Sequence, residues 1–247
     1  MKIRICKILS VCLAMMFVIA LVCTAEAKTK KKNKKYASPG TPTRAIQDLD
    51  DILDDFKVRE GGKPLSKADE KFNRDLKQKI ITGTFDVREL AMLSLGKHWN
   101  VKTPKEQQEF VDLLTQLLEE KALFSKEQSA SKSKSGGKYN VIYRGHKYLN
   151  KDRTRAFVAT RVVVPSENIT ITLNYKMKKK GPEWKIYDIV VDEASLVDNY
   201  KYQFNSIITK HGYPDLVSRM SSKLTKLKKQ RDAVGPEKVI TPPPSKG

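Results

Sequence analysis

Apolar and polar positions alternate with two different periods along this chain, and the change of period divides it into helices, then strands, then helices again. Between Thr41 and Arg59, Ile46, Leu49, Leu53 and Phe56 recur at helical spacing, while Asp48, Asp51, Asp54 and Asp55 fill the other faces. The spacing predicts a helix with one apolar stripe, broken by Gly61-Gly62-Lys63-Pro64. Ser66, with Asp69 three residues on, marks the start of the next helix. Thr103-Pro104-Lys105-Glu106 is a fuller start signal: the threonine accepts from an orphan N–H, proline suits the first helical position, and the glutamate reaches back to the cap. Phe110, Leu114, Leu117 and Leu118 give that helix its apolar face.

The segment Lys126 to Lys138 is rich in Ser, Lys and Gly and is expected to be a connector without a buried face. Four strands are predicted after it: Tyr139–Arg144, Arg155–Val164, Ile169–Met177 and Trp184–Val191. Alternation is strictest in the third, where Ile169, Ile171, Leu173, Tyr175 and Met177 face one way and Thr170, Thr172, Asn174 and Lys176 the other. Turn residues at Pro165–Asn168 and Lys179–Pro182 imply antiparallel hairpins. Beyond Asp192 the helical period returns with Leu196, Tyr200, Phe204, Ile207 and Ile208, ends at Gly212 and Pro214, and resumes with Leu216, Met220, Leu224 and Leu227. Helices segregated from an antiparallel meander make an α+β domain, placed at residues 41–232, with a disordered tail over 233–247.

The amino terminus adds a compartment to this picture. Lys2, Arg4 and Lys7 precede an apolar run from Ile8 to Val22, and Ala25-Glu26-Ala27 offers small residues to a signal peptidase, so residues 1–27 read as a cleaved secretory signal. The run is shorter than the roughly 20 residues that span a bilayer, and Val22 stands where a lipoprotein signal needs a small residue before Cys23. All three cysteines, Cys6, Cys12 and Cys23, fall within this segment, which leaves the mature chain without a disulfide framework or thiol chemistry. Residues 28–40 form a basic, disordered leader containing six lysines between Lys28 and Lys35. The formal net charge is +20, and Arg219, Lys223, Lys226, Lys228, Lys229 and Arg231 add a second basic run with no acid between them. Such runs attract anionic headgroups or polymers. Export and the lack of a stacking platform argue against nucleic acid.

Catalytic constellations are not visible. His98, His146 and His211 are scattered, Ser195 lacks a nucleophile elbow, and Gly61-Gly62 and Gly136-Gly137 lack the residues of a phosphate cradle. No metal, cofactor or catalytic residue is expected. Asp188 interrupts the face shared by Trp184, Ile186 and Val190 and is expected to point away from the core, ion-paired with Arg161, while Asp192 is expected to cap the following helix.

Four segments resemble the MlaC family of periplasmic phospholipid-binding proteins, also known as the toluene-tolerance auxiliary family. They are Phe85–Trp99, Thr103–Leu114, the strand pair between Arg155 and Met177, and W-K-I-Y-D-I-V-V-D-E-A-S-L-V-D-N-Y-K-Y-Q-F from Trp184 to Phe204. The resemblance implies a curved antiparallel sheet of about four strands wrapped by about six helices, similar to the nuclear-transport-factor and cystatin-like cone, with an apolar pocket. It implies a periplasmic, monomeric carrier that holds a phospholipid by its acyl tails and shuttles it between an outer-membrane lipoprotein/porin complex and an inner-membrane lipid-binding hexamer with an ABC transporter. Lipid asymmetry is the process served, and the lipid is cargo rather than cofactor. The expected pocket residues are Leu95, Trp99, Phe110, Leu114, Leu117, Val162, Ile171, Leu173, Tyr175, Ile189, Val191, Tyr200 and Phe204, with Lys201 in the headgroup vicinity. Lys201 stands where the family more usually has arginine, and Glu193 where it often has glycine.

Two other readings fit the residues. An exported basic module could bind anionic polymers or membrane surfaces through its lysine runs without internal lipid. A cone-shaped isomerase or hydrolase would need a poised group inside the pocket, for which Tyr175 and Tyr200 are the candidates.

Overall fold

The computed structural model describes residues 35–57, 65–132, 140–165 and 168–233. The signal segment, residues 28–34 of the basic leader, the Gly61–Pro64 break, the end of the connector and residues 234–247 of the tail lie outside these residues. Among the described residues, six α-helices and five strands run in the order α1 (Pro42–Leu53), α2 (Lys67–Thr84), α3 (Val87–Leu95), a 3-10 turn (Gly96–His98), α4 (Pro104–Lys132), β1 (Asn140–Tyr148), β2 (Arg155–Val164), β3 (Ile169–Lys180), β4 (Glu183–Val191), β5 (Ala194–Ser195), α5 (Leu196–His211) and α6 (Tyr213–Ala233).

Side-chain caps fix the helix starts. Thr41 Oγ1 accepts from Arg44 N, Ser66 Oγ from Asp69 N, Asp86 from Glu89 N and Ser195 Oγ from Asp198 N. At α4 the capping is reciprocal: Thr103 N donates to Glu106 Oε2 at 2.8 Å and Glu106 N to Thr103 Oγ1 at 3.2 Å. Gly96 and Gly212 follow α3 and α5 with φ of 54° and 84°, a region that favours glycine. Two expectations change here. Helix α4 runs to Lys132, so the first seven residues of the expected connector are helical. Capping of α5 falls to Ser195, whereas Asp192 adopts φ 43° and accepts from Thr172 N at 2.9 Å.

The strands form one curved, open antiparallel meander in the order β1-β2-β3-β4-β5. Thr160 pairs with Leu173 and Leu173 with Val191, while Val158 pairs with Tyr175 and Tyr175 with Ile189. Lys176 pairs with Asp188 but Met177 with Ile186, which leaves Tyr187 as an extra residue in β4. Beyond Tyr187 the alternation is reset, and Ile189 and Val191 share a face with Tyr175, Met177 and Ile186. The free edge of β4 is covered where Asp86 N donates to Ile186 O at 2.8 Å.

The core has two parts. One lies between the inner face of the sheet and α1 with α2, through Ile46, Leu49, Leu76 and Ile80. The other lies among the helices and takes Ile81, Leu90, Leu95, Phe110, Leu114, Phe204, Leu216 and Leu224. Neighbouring Ile80 and Ile81 therefore serve different clusters, and Phe85 packs against both. On the outer face of β3, Lys176, Lys178 and Lys180 each meet a buried carboxylate: Asp188 at 2.8 Å, Glu89 at 2.7 Å and Asp86 at 2.9 Å. Asp188 is accordingly buried, and its partner is Lys176 instead of Arg161. It also accepts from Ser195 Oγ at 2.7 Å and Val197 N at 3.0 Å, tying β4 to the start of α5. The bulge at Tyr187 carries it there.

Candidate functional site

All thirteen expected pocket residues are buried, but the fold divides them. Leu95, Trp99, Phe110, Leu114, Leu117, Tyr200 and Phe204 join the helical cluster. Their contacts there are those of a packed core: Tyr200 stacks on Phe204 with ring centroids 5.2 Å apart, and Phe110 meets Phe204 edge-on at 5.7 Å. Val162, Ile171, Leu173, Tyr175, Ile189 and Val191 join the inner-face cluster. Lys201 is exposed on α5, with its aliphatic stem close to Gly96, so it belongs to the helical side of the molecule.

Among the described residues, the strand side chains of the inner face form a continuous apolar surface under an amphipathic cover. Sequence reasoning missed part of it: Ala156, Val158, Met177 and Ile186 stand in the same rows as the expected residues, and Ile46 and Leu49 face them from α1. Their signal was present in the strand alternation of β2 and β3 and in the stripe on α1. Burial is complete in the middle, where Val158, Met177 and Ile186 are fully enclosed. It is partial along a margin formed by Ile52, Leu53 and Phe56 at the end of α1, Val141 and Tyr143 of β1, and Ile169 of β3, and also at Ala45 of α1 and at Phe85 beside β4.

Few polar groups reach this apolar surface, and each has a defined position. Tyr143 OH donates to Asp50 Oδ2 across the partly covered margin. Thr160 Oγ1 is satisfied by Leu173 O. Toward the other end of α1, Thr43 Oγ1 and His146 Nδ1 are 2.8 Å apart and Trp184 Nε1 donates to Gly40 O at 3.0 Å, so side-chain bonds hold α1 to β1 and β4. Tyr175 OH makes no hydrogen bond among the described residues. Burial, and then the charge of Asp50, push its ionisation well above the ordinary phenol range, as burial and Asp50 also do for Tyr143.

Elsewhere among the described residues lies a surface depression of about 410 Å³ lined by Ser222, Thr225, Lys226, Lys229 and Gln230, and another of about 410 Å³ lined by Glu106, Glu109, Phe110, Tyr213, Pro214, Val217 and Ser218. Of the thirteen expected residues only Phe110 touches either, and neither depression adjoins the inner face. Among the described residues no cluster of three or more His, Cys, Asp or Glu side chains is placed to hold a metal ion. His98 bonds to Asn205 at 2.9 Å and His146 to Thr43.

No curated protein matches this chain in sequence. In fold it is similar to the phospholipid-binding protein from Ralstonia solanacearum, solved in complex with a phospholipid, with a TM-score of 0.57 and 23% sequence identity, covering 74% of this chain and 97% of that one. The family model described as MlaC protein matches residues 48–222, from within α1 to α6 and so through every element that builds the inner face. The chain therefore belongs to the MlaC protein family.

Proposed function

We propose that this protein is a carrier, not an enzyme, that binds a phospholipid by its acyl tails against the inner face of the sheet. The observation that carries the reading is the apolar surface of Val162, Ile171, Leu173, Ile189 and Val191 beneath Ile46 and Leu49, incompletely covered toward the end of α1. Membership of the MlaC family and the phospholipid held by the Ralstonia protein of similar fold support it. The tails take the space between α1 and the strands, which widens as α1 moves away from the sheet.

The energetics define what such a carrier must do. Burying acyl chains stabilises by about 0.8 kcal/mol per CH₂, so two long tails represent roughly 20 kcal/mol relative to water. A bilayer supplies nearly the same stabilisation, so the net preference between membrane and protein is small and docking partners decide loading and release. We place the carrier in the periplasm after cleavage near Ala27, on the strength of the charged and apolar pattern of residues 1–27. Its partners in this reading are the outer-membrane lipoprotein/porin complex and the inner-membrane lipid-binding hexamer with its ABC transporter, and the process is maintenance of lipid asymmetry by a monomer.

Val162→Arg and Leu173→Arg each put a charge on the apolar face and test the site directly. Lipid extracted from the folded variants and quantified by mass spectrometry is expected to fall to background. Undiminished phospholipid in both would contradict a site on this face.

A further inference from the structure

We infer that Tyr175 recognises the acyl ester carbonyl of the cargo, so that the site selects ester-linked over ether-linked lipids. The inference rests on the carrier reading above and assigns a role to an inner-face hydroxyl that makes no hydrogen bond among the described residues.

Tyr175 is 8% exposed. It faces inward between Leu173 and Met177 on β3, with Val158 and Ile189 beside it on the flanking strands. Its hydroxyl makes no hydrogen bond to the described residues and is not fully enclosed, so it can meet a group that arrives from outside the fold. A donor held this way in an apolar surface is suited to an acceptor that arrives with a ligand. A lipid whose tails lie on this face brings such acceptors, because its ester carbonyls sit where the tails join the glycerol and lose their water as the tails are buried.

Asp50 narrows the choice of acceptor. Its carboxylate accepts from Tyr143 at the margin, and its charge acts on Tyr175 as well. The phenol therefore stays protonated and can donate. The same negative charge repels an anionic acceptor, which keeps a phosphate or a free fatty-acid carboxylate away from this position. An uncharged carbonyl oxygen has no such penalty. The phosphate then lies outside the margin, with no basic side chain needed among the apolar residues.

The test is a competition. Mature protein is incubated with vesicles containing equal amounts of a diacyl and a dialkyl-ether phosphatidylglycerol of matched chain length, reisolated, and its bound lipid quantified by mass spectrometry. One hydrogen bond gives wild-type protein a preference for the diacyl lipid of roughly three- to tenfold. Tyr175→Phe keeps the ring and its packing, and is expected to bring the ratio close to one, with the loss falling on the diacyl lipid. Equal capture of both lipids by wild-type protein would overturn the inference whatever the variant does, as would a Tyr175→Phe protein that kept the wild-type ratio. Wild-type protein that captured neither lipid would overturn the carrier reading and this inference with it.

Discussion

Lys176, Lys178 and Lys180 each meet a buried carboxylate on the outer face of β3, and these pairs fasten α3 and the start of α5 to the sheet. Glu89 meets a second cation, since Arg155 also donates to it. Burial pushes its carboxyl up, but the hydrogen bonds from Lys178 and Arg155 outweigh this and hold it below the ordinary value of 4.5. A lowered folded-state value means that the stabilisation is present in full above about pH 4.5 and is lost as pH falls through the folded-state value. Urea midpoints measured across the acid range are therefore expected to fall on acidification in the wild type. In Glu89→Gln the acid dependence should be shallower, after a loss of about 2–4 kcal/mol at neutral pH. Asp188→Ala should cost about 2–4 kcal/mol in the same measurement, because it leaves Ser195 Oγ, Val197 N and Lys176 without their common acceptor. These acids were the least legible residues in the sequence. Counting alternate positions along β4 places Asp188 outside the core, and the count fails at Tyr187, whose insertion no residue type announces. Asp192 stood in a good capping position by sequence, but Ser195 was the residue in register with α5.

Helix α1 covers the inner face, so in the carrier reading access to that face depends on it. It lies over β1, β2 and β4, held by Thr43 to His146 at 2.8 Å and by Trp184 to Gly40. Linking α1 to β1 through Thr43→Cys and His146→Cys, in a mature chain whose only native cysteines were in residues 1–27, gives a reversible lock. Lipid exchange between the protein and labelled vesicles is expected to slow at least tenfold when the two thiols are crosslinked, and to recover on reduction. Unchanged exchange under crosslinking would show that α1 stays in place during loading. The helices were well announced in sequence because caps are local: Ser66 and Thr103 start α2 and α4 as their side chains require. The two-residue β5 is too short to carry a period. Continuation of α4 to Lys132 shows elongation from an established helix carrying on through Ser- and Lys-rich sequence of modest propensity. The division of apolar residues between two clusters was not legible either. Ile80 and Ile81 look alike in a sequence, and only the placement of α2 between sheet and helices separates them.

At the scale of the whole molecule, the apolar face and the charge have separate consequences. The formal charge of +20 favours approach to anionic surfaces at low ionic strength. Transfer of lipid to anionic vesicles is expected to slow as salt rises from roughly 0.05 to 0.5 M, while the amount of lipid held by the protein changes little, because screening acts on exposed charges and not on buried tails. The α+β architecture and its meander were legible because segregated periods of 3.6 and 2 leave few alternatives. Of the inner face, the row on β3 was legible, the row on β4 was broken by the extra residue at Tyr187, and the cover supplied by α1 was not legible, since its stripe fits a plain core equally well. The central claim is that this inner face shelters acyl chains, and native mass spectrometry of the folded mature protein after incubation with phospholipid vesicles tests it most directly. The account predicts a complex of one phospholipid per protein that is absent in Leu173→Arg. Folded wild-type protein that remains free of lipid under those conditions would contradict it.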